Sequence, residues 1–152
     1  MMRPCPYPPA DLLPHAGAMV LIEESVGYDE TGFIAALTVR ESSLFRVGTG
    51  VPAYIGIEYM AQTCGAFAGM TARRAGQPVQ MGFLLGTRNF SADRECFRIG
   101  ERLEVGARLL LDEGEMSAFA CAISIAGREV ARAQLNLFRP RDPSSFLAGA
   151  GA

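Results

Sequence analysis

Lysine is absent from this sequence: all fourteen basic side chains are arginine. That excludes catalysis through a lysine Schiff base. The four cysteines, Cys5, Cys64, Cys96 and Cys121, show no CxxC spacing and no nearby histidine pair, so a zinc site has no visible ligand set. Positive charge is also scarce. A formal net charge of −2 gives nucleic acid little electrostatic reason to bind, and no such partner is expected. No window is as apolar as a membrane span must be, and the proline-rich start lacks the apolar stretch of a signal peptide. The expectation is a cytoplasmic protein. No internal repeat is visible. With 152 residues, 49% of them hydrophobic, one domain over 1–152 with its own core is expected.

Residues 1–10 read as an extended lead-in, because each proline fixes its own φ and keeps the residue before it out of the helical region. Asp11 to His15 has room for one turn of helix. Met19-Val20-Leu21-Ile22 opens a strand running towards Gly27, the segment 29–32 reads as a turn, and 33–39 forms the second arm of a hairpin. From Pro52 to about Arg74 the spacing predicts one long helix, with proline near its first turn and Gly76 just past its end. Nearly all its sides are apolar or small, the composition of a buried helix. Gly65 and Gly69 share a face and invite close approach by another element. Arg73 and Arg74 suit the carbonyl end of the dipole. Strands are expected over 79–90, 102–112, 116–125 and 129–138, with turns at Gly100, Gly114 and Gly127. Residues 141–152 read as a mobile tail. Two strands, a helix, then about four strands point to an α+β architecture, one antiparallel sheet wrapped around a long helix.

Within that apolar helix Glu58 stands out, because an unpaired carboxylate is costly to bury. It is either a structural acid with satisfied hydrogen bonds or a functional one. Gln62, one turn later, either orients Glu58 or a substrate amide or is a satisfied core amide. His15, the single histidine, is the one side chain suited to move protons near neutral pH without special tuning, although a lone histidine is more often structural. Backbone N–H groups at Ala53 and Tyr54, at the helix start, are candidates to polarise a carbonyl oxygen. Met81 to Gly86, with Gly82 and Phe83, suits a tunnel wall or a plain central strand.

Val51-Pro52-Ala53-Tyr54-Ile55-Gly56-Ile57-Glu58-Tyr59-Met60-Ala61-Gln62 resembles the PG-x-x-x-x-E-A-M-A-Q helix start of hotdog-fold β-hydroxyacyl-acyl carrier protein dehydratases. Leu13-Pro14-His15 followed by Met19 to Ile22 resembles that family's LPHRYPFLLVD segment. Arg88-Asn89-Phe90 with Phe97 to Leu103 resembles its R-F…V-x-P-G-D-x-L region, and the similarity spans roughly residues 11–139. The resemblance implies a hotdog fold, at least a dimer, an acyl tunnel between subunits, and an acid at Glu58 that assists departure of the substrate's 3-hydroxyl. It also implies a loop histidine that removes the C2 proton, and here the match breaks: that position is Leu44. The Leu-Pro-His opening and Ile-Glu-Tyr-Met-Ala-Gln core look more like the divergent dehydratase-like proteins of aryl-polyene biosynthetic clusters, some of which pair with another hotdog subunit.

Three readings follow. In the first, His15 replaces the missing base and, with Glu58, converts a 3-hydroxyacyl thioester on an acyl carrier protein to the trans-2-enoyl thioester, an elimination that needs neither metal nor redox cofactor. In the second, the chain is a non-catalytic or half-active acyl-binding subunit of a hotdog heterodimer. In the third, the helix carboxylate activates water and the protein is an acyl thioesterase. Arg88, Arg94, Arg98 and Arg102 either meet an acidic carrier protein or its phosphopantetheine, or are solvated strand ends.

Overall fold

The structure, a computed structural model, describes residues 2–14, 19–80 and 82–140. His15, Met81 and the expected tail at 141–152 lie outside the described residues. In chain order the elements are β1 (Glu24–Tyr28), β2 (Gly32–Thr38), β3 (Gly50–Pro52), a 3-10 turn at Ala53–Ile55, α1 (Gly56–Arg74), β4 (Phe83–Ala92), β5 (Cys96–Arg98), β6 (Arg102–Asp112), β7 (Met116–Ile125) and β8 (Arg128–Phe138). Another 3-10 turn, Pro9–Asp11, comes just before the Asp11 to His15 stretch where one turn of helix was expected and overlaps it only at Asp11.

Six strands form one sheet in the order β1-β2-β6-β7-β8-β4, and every neighbouring pair is antiparallel. Alternation along the strands selects its inner face. Leu103, Val105 and Ala107 of β6, Phe119, Cys121 and Ile123 of β7, and Ala131, Ala133 and Leu135 of β8 are all buried. Against that face lie Met60, Cys64 and Phe67 of α1, and the Phe67 ring meets Phe119 edge-on with centroids 5.7 Å apart. Burying one such side chain stabilises the fold by about 2–3 kcal/mol. A sheet wrapped on a single long helix is the hotdog arrangement. No helix among the described residues is long and apolar enough to cross a membrane.

The helix ends as its sequence dictates. Gly76, at φ 69°, is the first residue after the cap at Ala75. Its N–H donates to Arg73 O at 3.1 Å and that of Gln77 to Ala72 O at 2.8 Å, the paired bonds of a Schellman turn. Its start differs from expectation. The 3-10 turn and then α1 begin only after residues 50–52 have paired as a strand with 96–98, so the helix does not run from Pro52. The cause is tertiary. Val51 is fully buried, and a Cβ at Gly50 would stand 2.2 Å from Phe97 O, so the two backbones meet where only glycine fits.

Three other expectations shift. Residues 19–23 lie outside β1, although Glu23 N–H still donates to Ala36 O at 2.9 Å. β4 begins at Phe83 rather than near Val79 and is an edge strand, not a central one. The element admitted by Gly69 is neither strand nor helix but the N-terminal segment: a Cβ at Gly69 would fall 2.1 Å from Leu12 O. Arg73 closes the same contact, donating to Asp11 O through Nε at 3.2 Å and through Nη2 at 2.9 Å.

Candidate active site

Glu58 is not interior. It is exposed, on the one face of α1 that the sheet leaves bare. That face continues through Ala61, Gly65 and Ala68 to Thr71, and small residues there carry no charge that would mark it as solvent-facing. The stripe floors a cleft of about 210 Å³. Leu13 and Pro14 wall one side, and Leu84, Leu109, Phe119 and Leu137 of the sheet wall the other. From Glu58 to Thr71 the helix rises about 20 Å, at ~1.5 Å per residue. The cleft is therefore long and largely apolar, with Glu58 at one end of its helical floor and Asp112 and Arg139 also in its lining. Among the described residues Glu58 has neither hydrogen bond nor ion pair. No partner among the described residues holds this exposed carboxylate, so it is free to meet a ligand.

Gln62 lines the same cleft and is 5% exposed. Its Oε1 accepts the N–H of Leu21 at 2.8 Å and of Ile22 at 3.4 Å, while its Nε2 donates to Met19 O at 2.6 Å. These bonds pin the chain entering β1, so the amide neither orients Glu58 nor waits for a substrate. Gly82 lines the cleft at its exposed rim, whereas half-buried Phe83 does not. Ala53 is not an oxyanion donor: its N–H is taken by Glu95 O at 2.9 Å, because the 50–52 strand carries it alongside the 95–98 segment. Tyr54 is largely exposed and lines neither cleft. His15, outside the described residues, directly follows Pro14 of the cleft wall.

A second, wider cleft of about 400 Å³ was not foreseen. It is lined by Val20, Leu21, Glu23 and Leu37, by Thr38, Arg40, Ser42, Ser43 and Leu44, and by Tyr59. Leu44, where the resemblance expects a histidine, stands at its edge. Burial and, secondarily, the Glu23 charge push the Tyr59 phenol up to about 12. Tyrosines inside hydrophobic helices are routinely core, which is why the sequence gives no warning of this one.

The arginines considered for a carrier protein divide. Arg94 bonds both Glu101 oxygens, at 3.1 and 2.9 Å, and Asp93 at 3.0 Å, and Arg102 pairs with Glu24 and Glu104. Arg88 and Arg98 are exposed, with no ion pair among the described residues. No group of three His, Cys, Asp or Glu among the described residues is placed to hold a metal ion. The cysteines are free thiols; buried Cys64 and Cys121 sit with Sγ atoms 3.5 Å apart, and burial holds the Cys64 thiol well above its ordinary value.

The sequence profile of the ApeP-like family, described as ApeP dehydratase, matches residues 7–148. The chain belongs to that family. In fold, this ApeP-like chain superposes with a TM-score of 0.89 on a chain of the dehydratase heterocomplex ApeI:P from Xenorhabdus doucetiae, at 24% identity over 96% of this chain and 99% of that one. More distant likenesses include smu.793 from Streptococcus mutans UA159 bound to acetyl CoA, with a TM-score of 0.61, 15% identity and coverage of 77% and 87%. A hypothetical thioesterase protein with coenzyme A from Streptococcus pneumoniae TIGR4 gives a TM-score of 0.57 at 13% identity, covering 73% of this ApeP-like chain and 80% of that one. No curated protein matches in sequence. The hotdog expectation and the aryl-polyene resemblance are both borne out.

Proposed function

We propose that this chain dehydrates a 3-hydroxyacyl thioester, presented on an acyl carrier protein, to the trans-2-enoyl thioester. The observation that carries the reading is the unpaired Glu58 carboxylate at one end of a long apolar cleft whose wall, Leu13-Pro14, leads straight into the single histidine. The acyl chain lies along Ala61, Gly65 and Ala68, with its C3 hydroxyl at Glu58. His15 takes the C2 proton, the C3–O bond breaks as Glu58 protonates the departing hydroxyl, and the electron pair of the C2–H bond becomes the new double bond. Water leaves, and the proton on His15 returns to Glu58 through solvent.

A partner subunit is part of this reading. β4 has no neighbour on its outer side among the described residues, and Leu84 and Leu85 on that strand, with Leu110, Leu111 and Met116 at the β6–β7 end, are exposed apolar side chains. Such an edge calls for cover. A second hotdog chain fits, as a homodimer or heterodimer. Leu44 favours a second form of the proposal, in which the partner supplies the base and this chain supplies Glu58 and the acyl cleft.

The test is incubation of the full chain, alone and with a co-encoded hotdog protein, with a 3-hydroxyacyl carrier thioester, followed by intact mass. Loss of one water by the chain alone supports the His15 mechanism, and loss only with the partner supports the shared site. Release of free carrier thiol would indicate a thioesterase and overturn both.

A further inference from the structure

Two nucleophilic side chains beneath the first cleft take no part in the proposed reaction. Cys64 of α1 and Cys121 of β7 are 1% and 4% exposed, and their Sγ atoms lie 3.5 Å apart, in contact but unbonded. A single buried thiol packs as a small apolar side chain. Two in contact across the helix–sheet interface, 57 residues apart in sequence, add a chemistry that neither has alone, because they can be joined. The other two cysteines are placed elsewhere. Cys5 Sγ contacts Tyr7 O and Met70 Sδ, and Cys96 lies on β5.

The pair is enclosed but not sealed. Cys64 is in the lining of the first cleft, between Ala61 and Gly65 on α1, whereas Cys121 is not. A cleft of about 210 Å³ admits a molecule little larger than water as far as the Cys64 sulfur. The two thiols therefore stand in series: the cleft reaches the first, and the first touches the second. An S–S bond of about 2.05 Å needs the sulfur atoms to close by about 1.5 Å, a movement shared by two side chains. Burial first, and contact with Cys121 second, hold the Cys64 thiol well above its ordinary value, so it stays protonated and reacts slowly. Such a pair answers sustained exposure to an oxidant rather than a trace.

We propose that Cys64 and Cys121 are a disulfide-forming site, closed in the folded chain by a small hydroperoxide that enters through the first cleft. Cys64 Sγ attacks one oxygen of hydrogen peroxide, the O–O bond breaks, and the other oxygen leaves as water with the thiol proton, giving a sulfenic acid. Cys121 Sγ then attacks the Cys64 sulfur. The S–O bond breaks, and the hydroxyl leaves as water with the Cys121 proton. Two thiols have lost two electrons and two protons, and one peroxide has become two waters. A dithiol reverses the bond by exchange. The link ties the helix that carries Glu58 to the sheet, and it depends on where the thiols stand, whatever reaction the cleft serves.

Trypsin cuts after arginine and leaves each of the four cysteines in a different fragment, so the pairing can be read directly. The full chain, folded and reduced, is treated with hydrogen peroxide, its free thiols are alkylated, and the tryptic digest is analysed by mass. One linked pair is expected, fragment 47–73 with fragment 109–128, lighter by two hydrogens than its parts and released by dithiothreitol. Peroxide in urea, where the fold no longer selects partners, should give mixed pairings instead. Ala68→Phe, on the cleft floor one turn beyond Cys64, should slow the link severalfold by filling the way in, whereas Cys5→Ser and Cys96→Ser should leave it unchanged. The oxidised chain should also have a higher urea midpoint, because the link restricts the unfolded chain. Sulfinic acid at Cys64 with Cys121 still free, a link to Cys5 or Cys96, no link at all, an equal rate in Ala68→Phe or a lower midpoint overturns the site.

Discussion

The two faces of α1 obey different constraints. The sheet-facing side, with Met60, Cys64, Ala66 and Phe67, is buried against tightly packed strands, where one methylene more or less is felt. The opposite side, Glu58-Ala61-Gly65-Ala68, touches little in the chain and floors the cleft. Substitutions on the covered face should therefore register in stability, and substitutions on the bare face in activity. Glu58→Gln is the strongest test of that division. Dehydration is expected to fall by about 100- to 10,000-fold, the range for loss of a positioned general acid, while the urea midpoint barely moves. A large fall in stability would mean that Glu58 has structural partners after all.

Gly69→Ala is the opposite case. A methyl 2.1 Å from Leu12 O cannot be accommodated unless the N-terminal segment moves, and a loss of about 3 kcal/mol in urea unfolding is expected, the upper part of the overpacking range. Gly65→Ala sharpens the comparison on the same helix. Its Cβ would meet only the movable Leu13 Cδ2, at 3.0 Å, so the helix-propensity gain of about 1 kcal/mol offsets most of the crowding. If the two variants lose equal stability, the backbone contact at Leu12 is not what Gly69 is for.

Gln62→Leu comes next. It strips partners from Leu21 N and Met19 O, and about 2 kcal/mol of stability is expected to go with buried groups left unsatisfied. Unchanged stability in this variant would mean that water takes over the bonds Gln62 makes.

Much of this was legible in the residues. Strand boundaries at 102–112 and 116–125 follow from alternation and flanking glycines, and they stand as expected. The helix was legible by composition but its burial was misjudged, because Ala61, Gly65 and Ala68 look the same on a core face as on the floor of a ligand cleft. Glu58 was found as the odd charge on an apolar helix, yet the expectation that it is buried was wrong: the side chain is exposed, beside residues too small to show which way that face points. The start at Gly56 was hidden because pairing of 50–52 with 96–98 is decided 45 residues away in sequence, where local propensity has no reach. Tyr59 was invisible for a similar reason: nothing in a sequence tells a core tyrosine from one that lines a cleft.

The smallest expected effect is also the one most specific to Tyr59. Burial first, and the Glu23 charge second, raise its phenol from 10.0 to about 12, so the folded chain holds that proton more tightly than the unfolded chain does. The stabilising contribution is complete below the unfolded value near 10 and is lost as the pH climbs from there towards 12. Across that window about 2 kcal/mol should disappear, at ~1.4 kcal/mol per pKa unit and discounted for the hydroxyl's residual contact with the cleft. The buried Cys64 thiol, also raised, adds a loss of the same sign, so only the difference between the wild type and Tyr59→Phe isolates the phenol. Urea unfolding at pH 9 and pH 11 should show a shallower decline in the variant. Parallel declines in the two proteins would place Tyr59 in water-accessible surroundings and remove the distinction between the clefts.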